Sequence, residues 1–248
     1  MLETLRTARG VARSLLIYRG NSTRRVALRQ FYSGFVGAGD LVFDVGAHVG
    51  DRVAAFRRLG ARVVAVEPQP ALAKTLKILF GHDKGVVIEP VALGANDGTI
   101  ALRLNLDNPT ISTVSEAFVQ AARDAPGWRD QSWTKTITTR MTTLDALMYR
   151  HGMPAFIKID VEGFEAEVLA GLSRPSAALS FEFTTIMPEA AKRCVARCLE
   201  LGYGHFNAML GESLTFVHQQ PQSADDIVRW LEDLPFEANS GDVYAMLD

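Results

Sequence analysis

Short unbroken apolar runs punctuate this chain, and longer stretches in which apolar residues recur at three- and four-residue spacing separate them. Leu41-Val-Phe-Asp-Val45, Arg62-Val-Val-Ala-Val66 and Phe156-Ile-Lys-Ile159 are the clearest runs. Consecutive apolar positions suit strands covered on both faces, as in a parallel sheet, whereas a half-exposed strand alternates. Strands are predicted near 41–45, 62–66, 86–90, 155–160, 177–183, 203–207 and 242–246. Helices are predicted over 50–59, 69–80, 143–150, 164–172, 189–201 and 224–234. Such alternation predicts an α/β fold, a doubly wound and mostly parallel seven-stranded sheet with helices on both faces.

Two stretches break the alternation. Residues 1–36 read as a helical N-terminal extension, with the main domain over 37–248. Gly10, Gly20 and Asn21 interrupt any single long amphipathic face, so a pair of capping helices is expected. An arginine-rich lid over an anionic substrate and a helix resting on an anionic membrane are the alternatives. Residues 98–142 read as an insertion: a strand near 99–104, a polar segment, a short helix near 115–123 and a threonine-rich strand near 135–141. It is expected to overhang the central strands as a substrate cover, with Trp128 and Trp133 anchoring it rather than touching substrate.

Composition narrows the picture. With 248 residues, 48% hydrophobic and 22% charged, the chain is long enough for one α/β domain with additions. A net charge of −2 gives no global field for nucleic acid, although arginines crowd the first 40 residues and acids dominate the tail. No stretch suits a signal peptide or is long enough to span a bilayer, and Cys194 and Cys198 sit four apart on a predicted helix as reduced, core-facing thiols. A cytoplasmic setting is the expectation.

The candidate chemistry lies at strand ends. Gly46 and Gly50 follow the first strand, where a permissive backbone allows a tight turn into a helix and close approach of a ligand. Glu67, followed by Pro68, ends the second strand 21 residues after Gly46, the spacing at which an acid reaches a ribose hydroxyl pair. The dinucleotide fingerprint G-x-G-x-x-G is absent, and Asp44 stands just before the turn. That carboxylate disfavours a pyrophosphate and favours a cationic nucleoside such as S-adenosylmethionine, whose ammonium group it attracts.

A further segment, Phe156-Ile-Lys-Ile-Asp160-Val-Glu162-Gly163, again runs from strand to acidic turn to helix. With Phe43-Asp-Val-Gly-Ala-His-Val-Gly50, Val66-Glu-Pro68, Ala92-Leu-Gly94, Thr143-Leu-Asp145, Phe181-Glu-Phe183 and Gly241-Asp-Val-Tyr-Ala245, it strongly resembles the FkbM family of S-adenosylmethionine-dependent methyltransferases. His48 departs from the pattern, since such turns often carry Asn or Gly. The resemblance implies a class I methyltransferase fold and transfer of a methyl group to a hydroxyl of a small metabolite, sugar or glycan. It places Glu67 on the ribose, Gly46 and its neighbours against the methionine portion, and Val91, Ala92 and Leu93 beside the adenine. The methyl group then faces Asp160, Glu162 and Glu182. Glu182 and Glu162 are the first candidates for general base, with His205 and His48 behind them. The same trio is also able to hold Mg²⁺, but metal-free catalysis is the expectation.

The rival readings are a nicotinamide-dependent oxidoreductase on a similar sheet and a non-catalytic binding module of the same fold. Nucleic acid is not an expected partner, because Glu182-Phe-Thr-Thr185 lacks the Asn/Asp-Pro-Pro-aromatic turn and the basic residues gather in one terminal segment. The sequence leaves the oligomeric state open.

Overall fold

A computed structural model describes residues 2–247. Strands β1 (Leu41–Val45), β2 (Arg62–Val66) and β3 (Val86–Glu89) alternate with helices α3 (Asp51–Arg58) and α4 (Pro70–Phe80). After an insertion come α6 (Leu144–His151), β7 (Phe156–Ile159), α7 (Glu165–Ala170), β8 (Ala178–Thr184), α8 (Pro188–Glu200), β9 (His205–Leu210), α9 (Ala224–Glu232) and β10 (Ser240–Met246). The seven-stranded sheet runs β3-β2-β1-β7-β8-β10-β9, parallel except for β10, which slots antiparallel between β8 and β9. This is a doubly wound, mostly parallel order of the kind the resemblance implies, and each strand read from the apolar runs is present in it.

The register explains the runs. All residues of β1 are buried, because Phe43 and Val45 join one apolar cluster and Val42 joins the cluster on the other face. Pairing of β1 with β2 on one side and β7 on the other makes its carboxyl end the point where the winding reverses, the place where ligands bind in such sheets.

The insertion supplies β5 (Gly98–Leu104) and β6 (Lys135–Thr142) to a second sheet in the order β4-β6-β5, whose β4 (Ala92–Leu93) precedes it, and carries α5 (Glu116–Asp124). Thr113 ties it to the main sheet, its hydroxyl donating to the Glu162 carbonyl at 2.8 Å. Trp133 donates from Nε1 to the Ile111 carbonyl at 2.7 Å and sets its ring edge-on to Phe118.

The N-terminal segment is α1 (Leu2–Ser14), a π-helical turn (Leu15–Arg19) and α2 (Ser22–Tyr32). Phe31, Tyr32 and Phe35 pack among Phe56, Phe156 and Tyr244, so α2 is fixed to the sheet by a continuous aromatic cluster. Cys194 and Cys198 are free and buried, as expected of thiols one helical turn apart. No helix among the described residues is long and apolar enough to cross a membrane.

Candidate active site

A cavity of about 390 Å³ opens where the carboxyl ends of β1, β2, β7 and β8 converge. Asp44, Gly46, His48, Glu67, Pro68, Ala92, Leu93, Asp160, Glu162 and Glu182 all line it. Gly50 is set apart: its backbone is left-handed (φ 73°) at the start of α3, and a Cβ there would meet Phe80 at 2.5 Å and Leu76 at 2.8 Å. His205 begins β9 opposite Met246, at the far end of β10 from the cavity-lining Ser240.

The turn after β1 shows why glycine stands at 46. Gly46 has φ 85°, and a Cβ there would lie 1.7 Å from the Asp160 carbonyl. The backbone N–H groups of Gly46 and Ala47 both donate to the Val66 carbonyl, fastening the turn to β2. His48 is left-handed too (φ 49°), and its N–H donates to Glu67 Oε2 at 2.9 Å while that of Gln69 donates to Oε1 at 2.9 Å. Both Glu67 oxygens therefore accept one backbone donor and keep one lone pair, a geometry suited to a diol. Burial pushes the Glu67 carboxyl up to about 7, and the two N–H donors pull against that rise.

Asp44 is 2% exposed, and no donor among the described residues reaches its Oδ2. Burial pushes its carboxyl up to about 7. A buried acceptor without a partner costs free energy unless a donor or cation arrives, so this atom marks a place for a positively charged group.

Asp160, Glu162 and Glu182 bring carboxylate oxygens within 4.8 Å of one another. Lys158, fully buried on β7, decides how they share charge. Its Nζ donates to Asp160 at 3.1 Å and to Asp242 at 2.9 Å. Although burial raises the Asp160 carboxyl, Lys158 and Arg52 outweigh it and hold the group down at about 2. Glu162 and Glu182 go the other way, raised well above the carboxylate range by burial and by the Asp160 charge. One fixed charge thus sits between two protonatable neighbours, the arrangement that separates acid and base roles. Glu162 has φ 58°, a strained conformation for a non-glycine residue, and Glu165 braces its turn by accepting from the N–H groups of Val161 and Gly163.

His48 does not match a titrating base. Burial pushes its imidazole down to about 4; its Nε2 lies 3.0 Å from Ser14 Oγ, and Tyr18 meets the ring edge-on at 5.2 Å. Residues given no role in the sequence reading complete the site. Arg52 reaches Glu212 at 3.0 Å and Asp160 at 3.9 Å, and Arg24 bridges Asp51 and Glu212. Lys158 is the one whose signal was readable: a lysine inside an otherwise apolar strand must find a buried acid. The Arg52–Glu212 pair spans 160 positions and leaves no local mark. Ser14, Tyr18, Thr110 and Trp128 also line the cavity, so both the N-terminal segment and the insertion wall it.

The model of the methyltransferase FkbM domain matches residues 44–238. No curated protein matches the sequence. Among solved structures, precorrin-6y C5,15-methyltransferase from Geobacter metallireducens is similar at 12% identity and a TM-score of 0.41, over 90% of this chain and 87% of that one. Fibrillarin from Aeropyrum pernix, in complex with natively bound S-adenosyl-L-methionine, is similar at 13% identity and a TM-score of 0.44, over 86% of this chain and 68% of that one. A TehB-like SAM-dependent methyltransferase from Corynebacterium glutamicum is similar at 11% identity and a TM-score of 0.44, over 90% and 88%.

Proposed function

Because the chain belongs to the FkbM methyltransferase family, we propose that it transfers the methyl group of S-adenosylmethionine to a hydroxyl oxygen of a small-molecule or glycan acceptor. The observation that carries this reading is the pairing, within one cavity, of a buried acid whose Oδ2 has no donor among the described residues (Asp44) and a doubly braced acid (Glu67) with a trio of carboxyls of divided ionisation. When bound, S-adenosylmethionine supplies the electrophilic methyl group.

The chain's own residues do the rest. Asp44 receives the ammonium group, Glu67 accepts from both ribose hydroxyls, and Val91, Ala92 and Leu93 form the apolar side on which the adenine rests. Gly46 and His48 shape the turn against which the methionine portion lies. Such anchoring aligns a displacement that gains most of its speed from geometry. In its carboxylate form Glu182 takes the acceptor's hydroxyl proton with Glu162 beside it, and Asp160, kept ionised by Lys158, strengthens that basicity by its negative charge. The insertion, through Thr110 to Val114 and Trp128, covers the acceptor side and excludes water.

The reaction runs without a metal in this reading, because the Lys158 ammonium already supplies the buried positive charge beside Asp160. Calorimetric titration with S-adenosylmethionine, followed by mass spectrometry of a metabolite or glycan extract supplied with isotopically labelled methyl donor, tests it. Expected are saturable binding and a mass shift on a hydroxylated acceptor. Saturable binding of NAD with indifference to S-adenosylmethionine would favour the oxidoreductase instead.

A further inference from the structure

Helix α1 is seated with its apolar side outward. The residues it buries are Gly10 and Ser14, whereas Leu2 is 79% exposed and Leu5 51%. The π-helical turn continues the pattern with Leu16 at 76% and Ile17 at 51%. Positions 2, 5, 9, 13 and 16 follow one another by three or four residues, so Leu2, Leu5, Arg9, Arg13 and Leu16 form one outward stripe.

The helix cannot roll to hide these leucines. A Cβ at Gly10 would lie 2.8 Å from the Leu106 carbonyl, so only a glycine lets α1 approach the insertion this closely. Ser14 is tied to His48 at 3.0 Å, Arg6 forms an ion pair with Asp107, and Arg19 donates to the Gly50 carbonyl at 2.8 Å. The inward face is thus held by small and polar contacts, and the apolar face is left for something else.

Charge says what covers it. Arg9 and Arg13 are exposed on the stripe, and neither meets an acid among the described residues. Arg25 and Arg29 on α2 are likewise exposed, and neither forms an ion pair among the described residues. A second copy binding through the same face would set Arg9 and Arg13 against their own equivalents, which opposes association. Anionic phosphates beside apolar chains satisfy both residue types at once. We propose that the outer face of α1 and the π-helical turn is a docking surface for an anionic phospholipid bilayer. Arg13 and Ile17 belong to this face and also line the cavity, so docking brings the cavity mouth to the lipid interface. The proposal stands apart from the methyl-transfer reading.

Co-sedimentation of the full chain with vesicles tests it, using phosphatidylcholine alone and phosphatidylcholine mixed with phosphatidylglycerol. The protein is expected to sediment with the mixed vesicles at low salt, to remain in solution with phosphatidylcholine, and to release as salt rises. Leu2→Ser/Leu5→Ser/Leu16→Ser should abolish sedimentation, and replacing Arg9, Arg25 and Arg29 by Gln should weaken it by about fivefold per arginine. These side chains are exposed, so an unchanged melting temperature shows that the variants fold. Failure of the parent to sediment with the anionic vesicles overturns the proposal, as does sedimentation that the serine variant retains. Light scattering that shows a dimer dispersed by the same serines, with no vesicle binding, would assign the face to a second copy.

Discussion

Lys158 donates to Asp160 across 3.1 Å, and this contact fixes which carboxyl of the cavity trio keeps its charge. Asp160 is held at about 2 while Glu162 and Glu182 are raised, so as pH falls the cluster takes up its protons on Glu162 and Glu182 before Asp160. Glu182 must lose its proton to act as base, so turnover should rise with pH on an acid limb that lies above the ordinary carboxylate range. Replacing Glu162 by Gln removes a like-charged neighbour and should move that limb to lower pH. An initial-rate profile that keeps its acid limb in Glu162→Gln would show that the two groups are not coupled.

Glu182→Gln keeps the shape of the side chain and removes its basicity. The turnover number should fall by about 10²- to 10⁴-fold, the range for loss of a positioned base. Affinity for S-adenosylmethionine, measured by calorimetry, should stay near that of the parent because the proposed binding acids are Asp44 on β1 and Glu67 just after β2. Parent-like turnover would place the base elsewhere.

Glu67 has two tasks: its oxygens brace the N–H groups of His48 and Gln69, and they face the cavity. Glu67→Ala should therefore weaken S-adenosylmethionine binding by about 10- to 150-fold, corresponding to about 1.5–3 kcal/mol for a hydrogen bond to a charged group. It should also lower the melting temperature, since two backbone donors lose their partner. Glu67→Gln retains an acceptor for one of them and should recover more stability than affinity. Equal affinity in parent and Glu67→Ala would remove the ribose assignment.

The sheet and much of the site could be read from the chain because they rest on local signals. A strand buried on both faces must be apolar throughout, and an acid at its carboxyl end stands out; Asp44, Glu67, Asp160 and Glu182 all announce themselves in this way and converge because parallel strands end together. What was hidden depends on distant partners. β4 has only Ala92 and Leu93, too short for any periodicity, and pairs with β6 some 49 residues on. The reversal of β10 follows from its insertion between β8 and β9, which nothing within Ser240–Met246 encodes. The downward shift of His48 arises from burial, which its neighbours in sequence do not disclose.

Burial raises Asp44 and Glu67 to about 7, from values near 4 in an unfolded chain. Between those limits the folded state binds more protons than the unfolded one, so the contribution of both groups to stability is full below about pH 4 and is lost as pH rises through about 7. Asp160 has the opposite sign: held at about 2, it contributes stability above about pH 4 that is lost as pH falls towards 2. The ligand-free protein should therefore melt at progressively lower temperature between about pH 5 and 8. Asp44→Asn should flatten this decline, as should saturating S-adenosylmethionine, which pairs the carboxylates. Thermal melts across that range check the point, and a slope unchanged in Asp44→Asn would refute it.

Three carboxyls within 4.8 Å are also a ligand set for a divalent ion, and the charge balance of the cluster separates the two cases. An ion at this position would need Glu162 and Glu182 ionised and would sit beside the Lys158 ammonium, 3.1 Å from Asp160, where like charges repel. Proton sharing satisfies the same groups without that conflict. Dialysis against a chelator should accordingly leave the turnover number and the melting temperature unchanged, and added Mg²⁺ should raise neither. Activity lost on chelation and restored by Mg²⁺ would transfer the proton-releasing role from Glu182 to a bound ion, and in that event Lys158→Met, which removes the competing charge, should tighten the apparent Mg²⁺ affinity.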